Sequence, residues 1–157
     1  MYWRVYLGPF KVYFGLQYLT RYEGVRSDLP DGRHIILWDY DDLGQDTVFS
    51  ELRRVQWRFR LSNIYVHRTS EENKFHAICF SARTFREVAI ILLASTHCDL
   101  EYVKLGLIRG YWDLRINKLA QYDLEPVAIL TSPYPADVSP EQVVGRVRYL
   151  APPKEVR

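Results

Sequence analysis

Four side chains in this sequence have the types that divalent-cation chemistry on phosphates requires: Asp39, Asp41, His76 and Asp113. Asp39 and Asp41 close an apolar, strand-type run, Ile35-Ile36-Leu37-Trp38, that follows the turn residues Pro30-Asp31-Gly32. Side chains on extended backbone repeat direction every two residues, so both carboxylates point one way and can share one divalent cation or a pair of them. Asp42 points elsewhere. Three carboxylates with one imidazole suit a two-metal phosphoryl-transfer site. Hard oxygen ligands hold Mg2+ or Mn2+, and a cation such as His76 or Arg115 meets a phosphate. Each group also has a plain reading. The acids cap a strand and start a helix, His76 is a hydrogen-bonded strand histidine, and Arg109 and Arg115 pair with Asp113 on a solvated face.

Whether these groups converge depends on the elements that carry them. The run 34–38 reads as a strand buried on both faces. From Gln45 to Arg60, Val48, Leu52, Val55 and Phe59 recur at helical spacing while Glu51, Arg54 and Arg58 take another side, which predicts an amphipathic helix. Ile64 to Arg68 and Lys74 to Phe80 read as two strands joined by the polar link 69–73. Thr84-Phe85-Arg86-Glu87 forms a capping box that opens a second helix carrying Phe85, Val88, Ala89, Ile91 and Leu92. Leu100 to Leu107 reads as a short helix ended by Gly106. The alternation from Arg109 to Ile116 puts Trp112, Leu114 and Ile116 on a core face and Tyr111, Asp113 and Arg115 on an open one.

Strand, helix, strand, strand, helix, strand over 34–118 is the split βαβ plan of ferredoxin-like and RRM-like domains. It predicts an α+β fold with an antiparallel sheet in the order 4-1-3-2 and two helices on one face. On that plan the first strand lies between the third and fourth, so Asp39, Asp41, His76 and Asp113 meet on the free face. Residues 1–33 read as an amino-terminal β extension with a hairpin about Gly8-Pro9. Residues 119–157 read as a proline-rich arm packed on the core, with Val127 to Leu130 and Val143 to Leu150 as strands. The whole is expected to be one domain.

The order of these motifs resembles the archaeo-eukaryotic primase superfamily, including the small primase-polymerases of plasmids and viruses. The likeness rests on an apolar strand ending Asp39-x-Asp41, the strand Lys74-Phe75-His76-Ala77-Ile78 after Thr69-Ser70, and a late strand with Trp112-Asp113. It implies metal binding by Asp39, Asp41 and Asp113, with Asp113 preferred to Asp99 because Asp99 follows a helix. It further implies nucleotide contact by His76, Mg2+ or Mn2+ as cofactor, and a role in plasmid or viral replication; from their own placement, Arg109, Arg115 and Lys118 are expected on phosphates. A nuclease using the same acids is the second reading. A non-catalytic RRM-like nucleic-acid-binding module is the third.

Composition narrows the partners. The chain has 157 residues, is 48% hydrophobic and 25% charged, and carries a formal net charge of +2, so bulk charge alone does not announce nucleic acid. Arginine outnumbers lysine 16 to 5, however, and aromatics reach 15%, both suited to phosphate contacts and base stacking. Arg54 and Arg58 are the helix residues expected to follow a phosphate backbone. Nucleic acid is the expected partner, DNA in preference to RNA, with nucleoside triphosphates for a primase. Oligomeric state stays open. The sequence has no apolar run long enough to cross a bilayer and no signal-peptide layout at its start, so a cytoplasmic protein is expected, in host cytoplasm if viral. Cys79 and Cys98 form neither a zinc set nor a disulfide framework and are expected to be buried thiols.

Overall fold

A computed structural model describes residues 2–7, 10–15, 20–69, 73–116, 126–140 and 147–151. In chain order the elements are β1 (Tyr2–Leu7), β2 (Phe10–Gly15), β3 (Thr20–Arg26), β4 (His34–Tyr40), α1 (Gln45–Phe59), β5 (Ile64–Arg68), β6 (Phe75–Arg83), α2 (Phe85–Ala94), α3 (Leu100–Arg109), β7 (Asp113–Ile116), β8 (Ala128–Leu130) and β9 (Val147–Ala151). They build an α+β domain in which helices pack on a four-stranded antiparallel sheet ordered β4-β6-β5-β8. β1 and β2 pair antiparallel with each other, and a third sheet runs β7-β3-β9. That last sheet takes one strand from each of the segments 1–33, 34–118 and 119–157.

Alternation along β4, β6 and β5 decides what each face of the central sheet meets. Ile36, Trp38 and Tyr40 of β4, Phe75, Ala77 and Cys79 of β6, and Ile64 and Val66 of β5 share one face. They are sealed under Val48, Leu52 and Val55 of α1 and Val88, Ala89, Ile91 and Leu92 of α2. The capping box that the sequence predicts for α2 is formed. The Glu87 amide donates to Thr84 Oγ1 at 3.3 Å, and Glu87 Oε2 accepts from the Thr84 amide at 2.9 Å. The opposite face is only partly covered. Ile35 and Leu37 join Leu29, Ala82 and Leu114 in a second, smaller apolar cluster, while the residues beyond them keep contact with solvent.

The predicted order 4-1-3-2 fails at its fourth strand, because β7 pairs with β3 and not with β4. The reason lies on the outer edge of β4. Ile35 donates its amide to the Ser27 carbonyl at 2.8 Å, the Leu37 carbonyl accepts from the Tyr102 hydroxyl at 3.2 Å, and the Asp39 carbonyl accepts from the Asp99 amide at 2.9 Å. With those backbone groups satisfied, that edge has no ladder to offer another strand. β3 takes β7 instead, in the register Arg26↔Asp113 and Val25↔Leu114. On the far side, β8 fills the edge beside β5, so part of the predicted proline-rich arm is a strand of the central sheet.

Gly106 also behaves differently from the reading that made it a helix stop. It lies inside α3, where a Cβ would run into the Trp112 indole, and the helix ends at Gly110, in the left-handed region at φ 82°. Absence of a side chain at 106 lets Trp112 lie against the helix, stacked on Phe85 at 4.9 Å between ring centroids and donating its indole N–H to the Val103 carbonyl at 3.3 Å. Among the described residues no helix is long and apolar enough to cross a membrane.

Candidate metal and phosphate site

Asp39 and His76 stand directly opposite each other on β4 and β6. Because the Asp39 carbonyl turns away from β6 to Asp99, the two form the closer, non-hydrogen-bonded type of antiparallel pair, in which side chains on one face readily touch. His76 Nε2 lies 3.3 Å from Asp39 Oδ1. The side chains are 14% and 27% exposed, so both are reachable from the partly open face. His67 of β5 is opposite His76 in turn, which lays Asp39, His76 and His67 in a row across three strands. Burial, and then the neighbouring His76, lower the His67 pKa and favour its neutral imidazole.

The same register carries past the strand ends. Asp41 faces Lys74, with Nζ 3.5 Å from Oδ1, and the Leu43 amide bonds the Asn73 carbonyl at 3.0 Å. Asp42 then adopts φ 57°, a left-handed conformation that short polar residues tolerate, and the chain turns away into α1. Burial and the nearby Asp39 carboxylate raise the Asp41 pKa above the ordinary carboxylate range, Lys74 acts against them, and Asp99 adds to the rise. Asp39, Asp41 and Asp99 therefore share one electrostatic neighbourhood. Excess negative charge of this kind is relieved by a cation. Asp99 is partly committed already, since its Oδ1 caps α3 by accepting from the Glu101 amide at 2.8 Å.

Asp113 is not in this neighbourhood. It pairs with Arg26 across β3 and β7 and accepts from Arg109 at 3.2 Å, beside the stretch where Trp112 packs near His34. Two routes give its separation from Asp39. Five residue steps along β4 from His34 to Asp39 amount to about 16 Å. The ten residues of α3, which begins beside Asp39 and ends at Arg109, amount to about 15 Å. One metal centre cannot join acids so far apart, and the acid that does lie beside Asp39 is Asp99.

The cations predicted for phosphate and nucleic acid are dispersed as well. Arg109 is engaged with Asp113. Arg115 is in β7, but its side chain and all of Lys118 lie outside the described residues. Arg54 and Arg58 are on α1, across the sheet from the Asp39–His76 pair. Arg54 donates to the Ala94 carbonyl at 2.9 Å, and Arg58 lies over the Phe59 ring at 5.4 Å. Both cysteines are buried, as expected, and burial pushes the Cys98 thiol up to about 12.

A different acid proves to hold the site in place. Glu51, which the helical pattern puts on the polar side of α1, is buried. It accepts from Thr96 Oγ1 at 2.7 Å and from the His97 amide at 3.1 Å, and lies 2.7 Å from His97 Nδ1. Burial acts to raise its pKa, but the hydrogen bonds from Thr96 and His97 outweigh it and hold the carboxyl below its ordinary value. Glu51 thus ties α1 to the segment that delivers Asp99 to the Asp39 carbonyl. The pattern could not show this, because the partners are 45 and 46 residues away. His67 was legible in principle: once the Lys74 carbonyl accepts the Thr69 amide, position 67 must face 76.

Among the described residues no three His, Cys, Asp or Glu side chains are grouped so as to hold a metal ion by themselves. What the strand end does present is two carboxylates, Asp39 and Asp41, two residues apart. In comparisons with known proteins, no family model, no curated protein and no solved structure matches this chain.

Proposed function

We propose that this protein is a metal-dependent nucleic-acid enzyme of primase-polymerase type, reduced to a site in which Asp39 and Asp41 bind a Mg2+ or Mn2+ ion together with the phosphates of the substrate. The observation that carries the reading is the Asp39–His76 pair, set side by side on a face that solvent reaches, with Asp41 next to it. In the free protein the His76 ring stands against Asp39 and the Lys74 ammonium against Asp41. Asp39 and Asp41 would hold a divalent cation, and His76 and Lys74 beside them would contact phosphate oxygens. The cation supplies charge stabilisation for phosphoryl transfer. Asp99 adds negative charge nearby, in the part first given to Asp113.

The test is nucleotide incorporation on a single-stranded template with Mg2+ or Mn2+, comparing the native chain with Asp39→Ala, Asp41→Ala and Asp113→Ala. Incorporation that disappears with Asp39→Ala and Asp41→Ala but survives Asp113→Ala is the expected result. Cleavage of the template with the same dependence would move the reading to a nuclease, which needs the same ion with water as nucleophile. One observation favours the non-catalytic alternative. Tyr65 of β5 and Phe80 of β6 pack edge to face on the same open face, 5.5 Å between centroids, where aromatic rings suit base stacking. Binding of single strands that persists under chelation and in Asp39→Ala, without turnover, would select it.

A further inference from the structure

The outer surface of the helix layer holds a group of side chains that neither the core nor the Asp39 site uses. Trp57 of α1 is 60% exposed, and Ile90 and Leu93 of α2 are 48% and 59% exposed. The helices lie antiparallel, because Arg54 donates to the Ala94 carbonyl at one end and Arg83 to the Arg60 carbonyl, at 3.4 Å, at the other. Trp57 is therefore level with the middle of α2, where Ile90 emerges. Around these three apolar groups stand the exposed Arg54, Arg58 and Arg86. Of the carboxylates near this surface, Glu51 is buried and lies 3.6 Å from Arg54, and Glu87 is occupied in the capping box, which leaves Arg58 and Arg86 without an acidic partner on these two helices.

We infer that this surface of α1 and α2 docks an acidic amphipathic segment of a partner protein, whose apolar stripe covers Trp57, Ile90 and Leu93 and whose carboxylates meet Arg58 and Arg86. Charge complementarity selects this occupant. A second copy packed about a two-fold axis would set Arg58 and Arg86 against their own equivalents. Nucleic acid would satisfy the arginines, but its phosphates gain nothing from Ile90 and Leu93. An exposed tryptophan ringed by arginines is the composition of an interface anchor, and a helix laid in such a groove is a common way to fill it. The inference does not depend on the metal site, which lies on the other face of the sheet.

The experiment uses the full chain and a fluorescent synthetic peptide of about 18 residues, with leucines at helical spacing flanked by glutamates. Three counter-probes accompany it: the same peptide with lysine for glutamate, a single-stranded oligonucleotide, and vesicles of phosphatidylcholine and phosphatidylserine. The glutamate peptide is expected to bind, to weaken at least about tenfold with Trp57→Ala and with Arg58→Glu, and to weaken as salt rises. Asp39→Ala should leave its binding unchanged. Both interface variants alter exposed side chains, and circular dichroism confirms that they fold. The inference is overturned if the glutamate peptide fails to bind, or if the lysine peptide binds as well. It is equally overturned if Trp57→Ala and Arg58→Glu abolish only oligonucleotide or vesicle binding, or only self-association seen in sedimentation.

Discussion

The two faces of the central sheet are made by alternate residues of the same three strands, yet they are built for different ends. On the covered face Ile36, Trp38, Tyr40, Ala77, Cys79, Ile64 and Val66 are all fully buried. On the other, Asp39, His76, His67 and Tyr65 remain in partial contact with solvent, and the polar groups crowd the Asp39 end of β4. The first face contributes stability through area removed from water and through close packing. The second does the same around Ile35 and Leu37, but at its Asp39 end it contributes little stability and leaves its polar groups in contact with solvent. Substitutions on the covered face should therefore lower stability, while those at the Asp39 end of the other should leave it nearly unchanged and affect only the proposed activity.

The largest loss of stability is expected for Trp38→Ala. It empties a fully buried site and removes the indole N–H bond to Ser95 Oγ at 2.9 Å, so urea denaturation should show a loss of about 3–5 kcal/mol. Gly106→Ala comes next. Helix propensity favours alanine by about 1 kcal/mol, but the methyl collides with the Trp112 indole, and overpacking of this kind costs about 1–3 kcal/mol or more. A net fall in the denaturation midpoint is expected, and a rise would show that Trp112 moves aside freely.

Glu51→Gln should cost about 1–3 kcal/mol at neutral pH, since it weakens a buried network of hydrogen bonds to a charged acceptor. Its pH dependence has a definite sign. The folded-state pKa is below the ordinary 4.5, so the carboxylate stabilises fully above 4.5 and that contribution is lost as pH falls through the folded value. The gap between native chain and variant should accordingly close in acid. A gap that widened there would contradict the assignment. His76→Ala, on the open face, should change stability by less than about 1 kcal/mol and, on the proposed function, reduce nucleotide incorporation. A large loss of stability would mean that the open face is structural after all.

How much of this was legible in sequence follows from how local each feature is. The Asp39–His76 contact was within reach, because a period of two and a short link between β5 and β6 fix parity and register. The position of Asp113 was not, because it depends on which edge accepts β7, and the edge of β4 is closed by Ser27, Asp99 and Tyr102 from three other places in the chain. Gly106 looked like a helix stop because glycine usually is one, and only the Trp112 ring explains why it sits mid-helix. Glu51 looked like a surface residue because nothing adjacent in sequence announces Thr96 and His97 as its partners.

On the proposed function, the acidic end of β4 holds a divalent cation by Asp39 and Asp41 and not by Asp113. A crystal soaked in Mn2+ with a nucleoside triphosphate tests it directly. The account predicts an anomalous peak within metal-ligand distance of both Asp39 and Asp41 and bridged to phosphate oxygens. A peak at Asp113, or phosphate bound with no metal at Asp39, would contradict it.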